Sequence, residues 1–300
     1  MYPIVYGFFY LISLLPIRVL YFFSDCIFIL IYHLMGYRKK VALDNLRMAF
    51  PEKTEEERLI IARNFYHNLI DSFIETIKLL SASRRFLNKR VCANWEMLEP
   101  LYKTGKSCQI HLGHTFNWEW GQYVLTEFTK YQVVVVYMPI TNKIFEKLMY
   151  RLRTRCGTRF IPASQMSKSM AALLDTQYLL GLVADQSPGS MHSAYWTNFF
   201  GRPTAFVSGP ERGARAGALP VLFTSIVKPR RGFYAAHLEI ACEDASVLQE
   251  GELTRRYAAY MESAIKKNPE MWLWSHRRWK HCWKPEFENN WIGTEKPVSI

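Results

Sequence analysis

The chain has 300 residues, 49% of them hydrophobic and 15% aromatic, so it can bury a substantial core in one large domain or two small ones. Its formal net charge of +12 suits an acidic partner such as anionic lipid, nucleic acid or a phosphorylated substrate. The six cysteines are scattered without a CxxC pair, which argues against a zinc site of that type and gives a disulfide framework no support.

The N-terminus is apolar from Tyr2 to Met35, with interruptions at Pro16 and Arg18. A helix needs about 20 apolar residues to cross a bilayer core, so this run predicts one membrane-embedded segment, kinked or re-entrant near Pro16. It lacks the charged n-region and the small-x-small site of a cleaved signal peptide. The YRKK sequence that follows places the rest of the chain in the cytoplasm under the positive-inside rule. A buried amphipathic hairpin is the alternative interpretation.

Residues 41–80 show helical periodicity on both sides of Pro51. Thr54 and Glu57 have the spacing of a capping box and predict the start of a long second helix. We expect these two helices to lie over the rest of the domain or against the membrane.

The centre of the chain alternates strands with helices. Strands are predicted at Cys108–Gly113, Tyr131–Pro139, Tyr178–Gln186, Ala218–Val227 and Phe233–Ala241, and helices at residues 117–130, 142–155, 164–176 and 254–269. This order predicts an α/β fold whose central sheet, mostly parallel or mixed, is flanked by helices. We therefore predict an anchor at residues 1–36 and a single domain at residues 37–300, since no repeat or low-complexity linker divides the latter.

The segment GHTFNWEW places a histidine, His114, at the end of a predicted strand and an acid, Glu119, in the first turn of the next helix. The carboxyl ends of strands are where α/β sheets bind ligands. A neutral imidazole there can take a proton from an alcohol, and Glu119 can fold back to orient it, as the acid does in a Ser-His-Asp triad. The attacking hydroxyl can belong to the substrate.

Two other interpretations of these residues remain. A metal site could use His111, His114 and Glu119, although a spacing of three on a strand points the two histidines to opposite faces. Alternatively, both histidines are buried core residues with satisfied hydrogen bonds.

A His, four residues and an acid form the signature of the glycerolipid-type acyltransferases, and GHTFNWEW resembles its form in the late acyltransferases of lipid A biosynthesis, the lauroyl and myristoyl transferase group. Further segments resemble blocks of that family in the expected order: YRKKVALDNLRMAFPEKTEEER, ADQSPG, FFGRPTAFVSGPERGARAGALPVL and PEMWLWSHRRWK. The family pattern here is Asp-His-Asp or Asp-Gln-Asp. This chain has Asp185 and Gln186 but departs from the pattern at Ser187, so the second acid is missing.

The resemblance implies transfer of a fatty acyl group from acyl-carrier protein to a hydroxyl of a lipid A precursor, with His114 and Glu119 as the catalytic pair. It also implies a bacterial inner-membrane enzyme whose catalytic domain faces the cytoplasm, contacts membrane lipid and uses no metal or organic cofactor. Competing interpretations change the acceptor to a glycerophospholipid or an aminolipid, or make the chain an inactive basic protein that binds membranes. We expect no nucleic-acid partner, since the basic, Trp-rich C-terminus suits a membrane interface next to an anchor.

The same resemblance implies substrate-binding roles for five residues. Asp185 would belong to the site and hold an arginine, with a helix or turn cap as the alternative. Arg155 and Arg159 lie where the family has an arginine that serves the site, suited to a phosphate or an oxyanion, or else they belong to a solvated basic loop. Arg212 and Arg215, three apart on one helix face, would meet phosphates of the acceptor or the carrier's phosphopantetheine arm, or are surface charge.

Overall fold

A computed structural model describes residues 1–173, 175–295 and 297 of the chain, and it confirms the α/β prediction. The strands are β1 (Val91–Ala93), β2 (Cys108–Leu112), β3 (Gln132–Tyr137), β4 (Arg159–Pro162), β5 (Tyr178–Val183), β6 (Tyr195–Phe199), β7 (Arg202–Phe206), β8 (Val221–Arg230) and β9 (Phe233–Cys242). Seven of them form the central sheet in the order β1-β9-β8-β2-β5-β3-β4, and β6 and β7 form a separate hairpin.

The sheet is mixed, as predicted. β2 lies at its centre, parallel to both β5 and β8, whereas β8 and β9 are antiparallel neighbours. In the register of β2 and β5, Leu112 pairs with Val183. The residues that follow these two positions therefore emerge side by side at the carboxyl edge of the sheet.

Helices cover both faces of the sheet. They are α1 (Tyr2–Leu14), α2 (Ile17–Phe28), α3 (Lys39–Ala49), α4 (Glu55–Lys78), α5 (Arg84–Asn88), α6 (Leu98–Lys103), α7 (Trp118–Leu125), α8 (Lys143–Thr154), α9 (Met166–Ala171), α10 (Gly209–Ala216) and α11 (Glu252–Lys267). On β3, Val133 and Val135 pack into one apolar cluster and Val134 into another. This alternation is what a strand buried on both faces requires.

The long helix α4 begins at the predicted capping box. The Thr54 hydroxyl accepts from the Glu57 N–H at 3.2 Å, and the Glu57 carboxylate accepts from the Thr54 N–H at 2.7 Å. Phe65 and Tyr66 on its inner face are fully buried. α4 therefore forms one wall of the main core.

The N-terminal segment is two helices rather than one, because the chain breaks at Leu15–Pro16 between α1 and α2. α2 continues as π-helical turns to Met35, and Ile17–Met35 is long and apolar enough to cross a membrane. Both helices pack on α4, and α1 also contacts α8.

Candidate active site

His114 lies in a tight turn directly after β2. The turn passes so close to neighbouring elements that a Cβ at Gly113 would lie 3.0 Å from Asp185 Oδ2 and would clash with Met261. Only glycine lets the backbone approach this closely. Gly113 thus sets the distance between the turn and the end of β5.

The Asp185 carboxylate, which follows β5, holds His114 by two hydrogen bonds. His114 Nδ1 lies 2.6 Å from Asp185 Oδ1, and the His114 N–H donates to Oδ2 at 2.8 Å. Trp272 Nε1 donates to the same Oδ2 at 2.6 Å. Burial alone would raise the pKa of Asp185, but His114 and these N–H groups hold it below its ordinary value. The carboxylate therefore remains ionised beside the imidazole.

This contact determines which ring nitrogen of His114 is available for chemistry. An ionised carboxylate can only accept a hydrogen bond, so Nδ1 carries the hydrogen and Nε2 carries the lone pair. In the part of the chain that the structure describes, Nε2 has no hydrogen-bond partner, and His114 lines a cavity. A neutral imidazole of this tautomer is a proton acceptor directed at whatever the cavity binds.

The expected contact between Glu119 and His114 is wrong. Glu119 lies in the first turn of α7, as predicted, but its carboxylate forms a bidentate pair with Arg153, with Nη2 to Oε1 at 2.7 Å and Nε to Oε1 at 3.0 Å. Burial raises the pKa of Glu119, and the Arg153 charge partly offsets this. The acid that contacts the imidazole is Asp185, which was predicted to hold an arginine and instead holds the histidine.

Arg153 was missed by the sequence reasoning, which selected its neighbours. It lies in the last turn of α8, and its guanidinium stacks 4.8 Å from the Trp118 ring centroid. The amphipathic pattern of α8 is the signal that could have found it. Arg153 lies next to the apolar Leu152 on the cavity side of the helix, and its side chain is only 14% exposed.

An apolar cavity of about 540 Å³ opens at His114, between α1, α4, α7 and α8. Most of its wall is aliphatic or aromatic, including Leu69, Phe73, Phe145, Leu148 and Leu152. The volume lies within the range of about 300–1,000 Å³ typical of small-ligand sites. A long hydrocarbon is the ligand that matches such a wall.

Two donors in this cavity have no partner among the described residues. Thr115 Oγ1 is buried without a hydrogen bond, and Arg153 Nη1 is not engaged by Glu119. Buried polar groups are almost always satisfied, so the Thr115 hydroxyl needs a ligand or a water molecule, and Arg153 Nη1 has a hydrogen bond left to donate. Both lie in the cavity wall that His114 shares.

A family model of the bacterial lipid A biosynthesis acyltransferases matches residues 2–281. The chain belongs to this family. It is similar to the lipid A biosynthesis palmitoleoyltransferase of Escherichia coli (strain K12), being 25% identical over 277 residues that cover 89% of this chain and 86% of that protein. The lipid A biosynthesis acyltransferase of Shigella flexneri is similar to the same extent, 25% identical with the same 89% and 86% coverage.

In this acyltransferase, neither Arg155 nor Arg159 belongs to the described wall of the cavity. Arg155 Nη1 donates to the carbonyl oxygens of Leu79 and Leu80 at 2.7 and 2.8 Å, so it caps the end of α4. Arg159 is exposed at the amino end of β4, the sheet edge opposite to the one that His114 follows. Their role in substrate binding therefore stays a prediction.

Arg212 and Arg215 also lie away from His114. They belong to α10, which leads into the amino end of β8, whereas His114 follows the carboxyl end of the parallel strand β2. Arg212 is exposed and lies 5.5 Å from the Tyr195 ring centroid. The structure brings neither residue to the cavity.

His111 is the buried core histidine of the acyltransferase. Its Nε2 lies 2.8 Å from the Gln109 side chain, and its ring packs beside Phe223 and Tyr257. Burial lowers the pKa of His111 to about 3. The two histidines therefore lie in different environments, as their spacing on a strand predicts.

The C-terminal segment completes the site. Trp272, which donates to Asp185, is held by a β-bridge to Thr115 in the His114 turn. The Ser187 N–H donates to His276 Nε2 at 3.2 Å, and the Ser187 hydroxyl donates to the Arg278 carbonyl at 2.9 Å. Ser187 therefore fastens the C-terminal segment to the end of β5.

Proposed function

We propose that this chain transfers a fatty acyl group from acyl-carrier protein to a hydroxyl of a lipid A precursor. The observation that carries the proposal is the His114–Asp185 pair at the mouth of an apolar cavity of about 540 Å³. The family and the two relatives named above support the acceptor class. The choice of acyl-carrier protein as donor comes from the resemblance and is supported by the net charge of +12, which suits an acidic carrier.

His114 acts as the general base. Nε2 takes the proton from the acceptor hydroxyl as its oxygen attacks the acyl carbonyl carbon, and Asp185 stabilises the imidazolium that forms. When the tetrahedral intermediate collapses, the carbon–sulfur bond of the thioester breaks and the imidazolium returns the proton to the departing thiolate. The products are an ester and a free thiol, and the histidine is neutral again.

Arg153 and Thr115 stabilise the oxyanion of the intermediate. The free Nη1 of Arg153 and the unpaired hydroxyl of Thr115 are donors in the same wall as His114. Donors fixed before the reaction are worth most where charge develops in a site that excludes water. Glu119 supports this step by holding the Arg153 fork in place.

The apolar cavity holds the acyl chain, and the enzyme works at the cytoplasmic face of the bacterial inner membrane. Leu69, Leu148 and Leu152 along the wall remove hydrocarbon from water, at about 0.8 kcal/mol for each buried CH₂. A partly exposed opening beside His114 lets the acceptor hydroxyl approach, since the His114 side chain is 28% exposed.

The test is an acyl-transfer assay with purified protein, radiolabelled acyl-carrier protein and, in parallel, a lipid A precursor, a glycerophospholipid and an aminolipid. We expect label to enter only the lipid A precursor. His114→Ala should lower turnover by roughly 10²–10⁴, the contribution of a positioned base, while the protein still folds and inserts. Transfer to one of the other lipids would contradict the proposed acceptor. No transfer to any lipid would contradict the proposed activity, and activity of His114→Ala within threefold of wild type would contradict the role of His114.

A further inference from the structure

The polar face of α2 is bonded to the catalytic domain halfway along the apolar segment Ile17–Met35. Tyr21 OH donates to Glu75 Oε1 at 2.6 Å, and Ser24 Oγ donates to Asp71 Oδ1 at 2.7 Å. The next residue, Asp25, pairs with Arg231 at 2.7 Å. The spacing of these residues puts their side chains on one helix face.

The partners of α2 are rigid parts of the domain. Asp71 and Glu75 lie on α4 and are completely buried. Asp71 also pairs with Lys228 at 2.9 Å, and Arg231, in the β8–β9 turn, bridges Asp71 and Asp25. The network therefore links one helix of the apolar segment to the central sheet.

This network is incompatible with an α2 that crosses the bilayer on the folded domain. Asp25 lies near the middle of Ile17–Met35, so a spanning α2 would place it near the bilayer centre. Arg231 and Asp71, which are bonded in the same network, would lie at the same depth. Charged groups at that depth are strongly unfavourable. An α2 that left the domain in order to span would break the hydrogen bonds from Tyr21 and Ser24 to buried carboxylates and would uncover Leu20, which is fully buried.

The outer faces of α1 and α2 are apolar and exposed. The exposed residues of α1 include Ile4, Phe8, Leu11 and Leu14, a stripe at helical spacing, and those of α2 include Val19 and Phe22. Cations flank the stripe: Lys147 lies 4.7 Å from the Tyr2 ring centroid and Arg151 lies 4.4 Å from that of Tyr6. An apolar stripe bordered by aromatic rings and cations matches the boundary between acyl chains and anionic headgroups.

We propose that α1 and α2 lie in the plane of the membrane, in the cytoplasmic leaflet of an anionic phospholipid bilayer, and do not cross it. This inference rests on the membrane location in the proposed function and deepens it. With 13 residues, α1 is only about 20 Å long, shorter than the hydrocarbon core of about 30 Å. The helices cover the leaflet side of the domain, and both chain termini stay in the cytoplasm.

The orientation explains where the cavity opens. Three of its lining residues, Phe73, Ile140 and Phe145, are exposed apolar side chains. Phe9 of α1 lines the same cavity and packs beside Phe145 with ring centroids 6.2 Å apart. The cavity mouth therefore adjoins the surface that the leaflet covers. Hydrocarbon can enter the cavity from the leaflet without passing through water.

The test locates the N-terminus relative to the membrane. A hydrophilic tag with a protease site is placed before Met1 of the full-length chain, and a matched chain carries the same tag after Ile300 as the reference for the domain. Protease is added to spheroplasts and to inverted inner-membrane vesicles. We expect both tags to be cut in inverted vesicles and both to be protected in spheroplasts.

Cleavage of the two tags from opposite sides would overturn the in-plane orientation, and so would an N-terminal tag that is cut from neither side. Recovery of the chain in the soluble fraction would overturn the membrane location as well as the orientation. The acyl-transfer assay is independent of all these outcomes, so a failure of the orientation and a failure of the proposed chemistry are distinguished.

Discussion

At the scale of single residues, the site contains two separate pairs, His114 with Asp185 and Glu119 with Arg153. The effects on kcat of substituting the two members of one pair should therefore be non-additive, and those of substituting members of different pairs should be additive. Because residues that act as a unit are non-additive, Asp185→Asn should lower kcat by roughly 10²–10⁴ in the wild type but add little to His114→Ala. Glu119→Gln should keep its full effect on the His114→Ala background and lose it on Arg153→Lys.

The measurement is a double-mutant cycle in kcat, with melting temperatures to confirm that each variant folds. A strong coupling of Glu119 to His114, with none of Asp185 to His114, would contradict this arrangement and restore the direct contact predicted from sequence. Equal additivity of both acids with His114 would mean that neither acts through the imidazole.

The arginines near α8 should separate by function. Arg153 holds Glu119 with a planar fork that lysine cannot reproduce, so Arg153→Lys should lower kcat/KM by about 10–100-fold, the worth of a charged hydrogen bond. Arg155→Lys should leave kcat/KM near wild type and lower the melting temperature, because Arg155 caps the carbonyl groups of Leu79 and Leu80. Reversed results, with Arg155→Lys inactive and Arg153→Lys active, would return the site arginine to the position predicted from sequence.

At the scale of elements, the sequence predicted features that carry local signals. The capping box at Thr54 and Glu57 marks the start of α4, and the run of valines from Val133 to Val136 marks a buried strand, so both were predictable. The strands β1, β4, β6 and β7, with three to five residues each, were missed. Unlike β2, β1 and β6 are not followed by a predicted helix that marks where the strand ends.

The partner of His114 could not be read from local spacing. Glu119 is five residues away, but its position in the first turn of α7 directs it to Arg153. Asp185 is 71 residues away and reaches His114 because β5 is the neighbour of β2, with both residues two positions beyond the Leu112–Val183 pair. The sequence predicted that both lie at one sheet edge, but strand order decides which residues touch, and strand order is a property of the whole sheet.

The contact between α2 and the domain predicts a stability effect. Asp71 is completely buried and binds Lys228 and Arg231, so Asp71→Asn leaves these charges without their carboxylate. We expect a loss of about 3–5 kcal/mol in the free energy of unfolding, the effect of breaking a buried ion pair. Asp44→Asn, the same change in a more exposed pair with Arg47 on α3, is the control and should change stability little.

The pH dependence of this contact has a definite sign. Burial opposes ionisation of Asp71, but His67, Arg231 and Lys228 outweigh it and lower the pKa of Asp71 below its ordinary value of 3.8. Stability that depends on the ionised form is present above that ordinary value and is lost as the pH falls towards the lowered one. Wild-type thermal stability should therefore fall more steeply than that of Asp71→Asn below about pH 4, and parallel acid profiles would contradict the assignment.

At the scale of the whole molecule, the N-terminal helices belong to the fold and are not a detachable anchor. Leu20, Phe28 and Tyr32 are buried against the domain. Deleting residues 2–35 would therefore uncover the core as well as remove the exposed apolar stripe that we propose faces the membrane. A test of membrane binding needs substitutions of exposed residues that leave the packing intact.

Phe8 and Leu11 are such residues, 60% and 66% exposed on the outer stripe of α1. Burial of each side chain is worth about 1.5–3 kcal/mol, so Phe8→Glu with Leu11→Glu should weaken partitioning into vesicles of phosphatidylethanolamine and phosphatidylglycerol by at least about 100-fold. The matched control is Val247→Glu, at an apolar residue that is 79% exposed outside this stripe, and it should float with vesicles like the wild type. Residual binding of the double variant should disappear at 1 M salt, where the Debye length is about 3 Å and exposed cations no longer attract anionic lipid. Unchanged flotation of the double variant, or an equal loss for Val247→Glu, would show that the membrane contacts a different surface of the molecule.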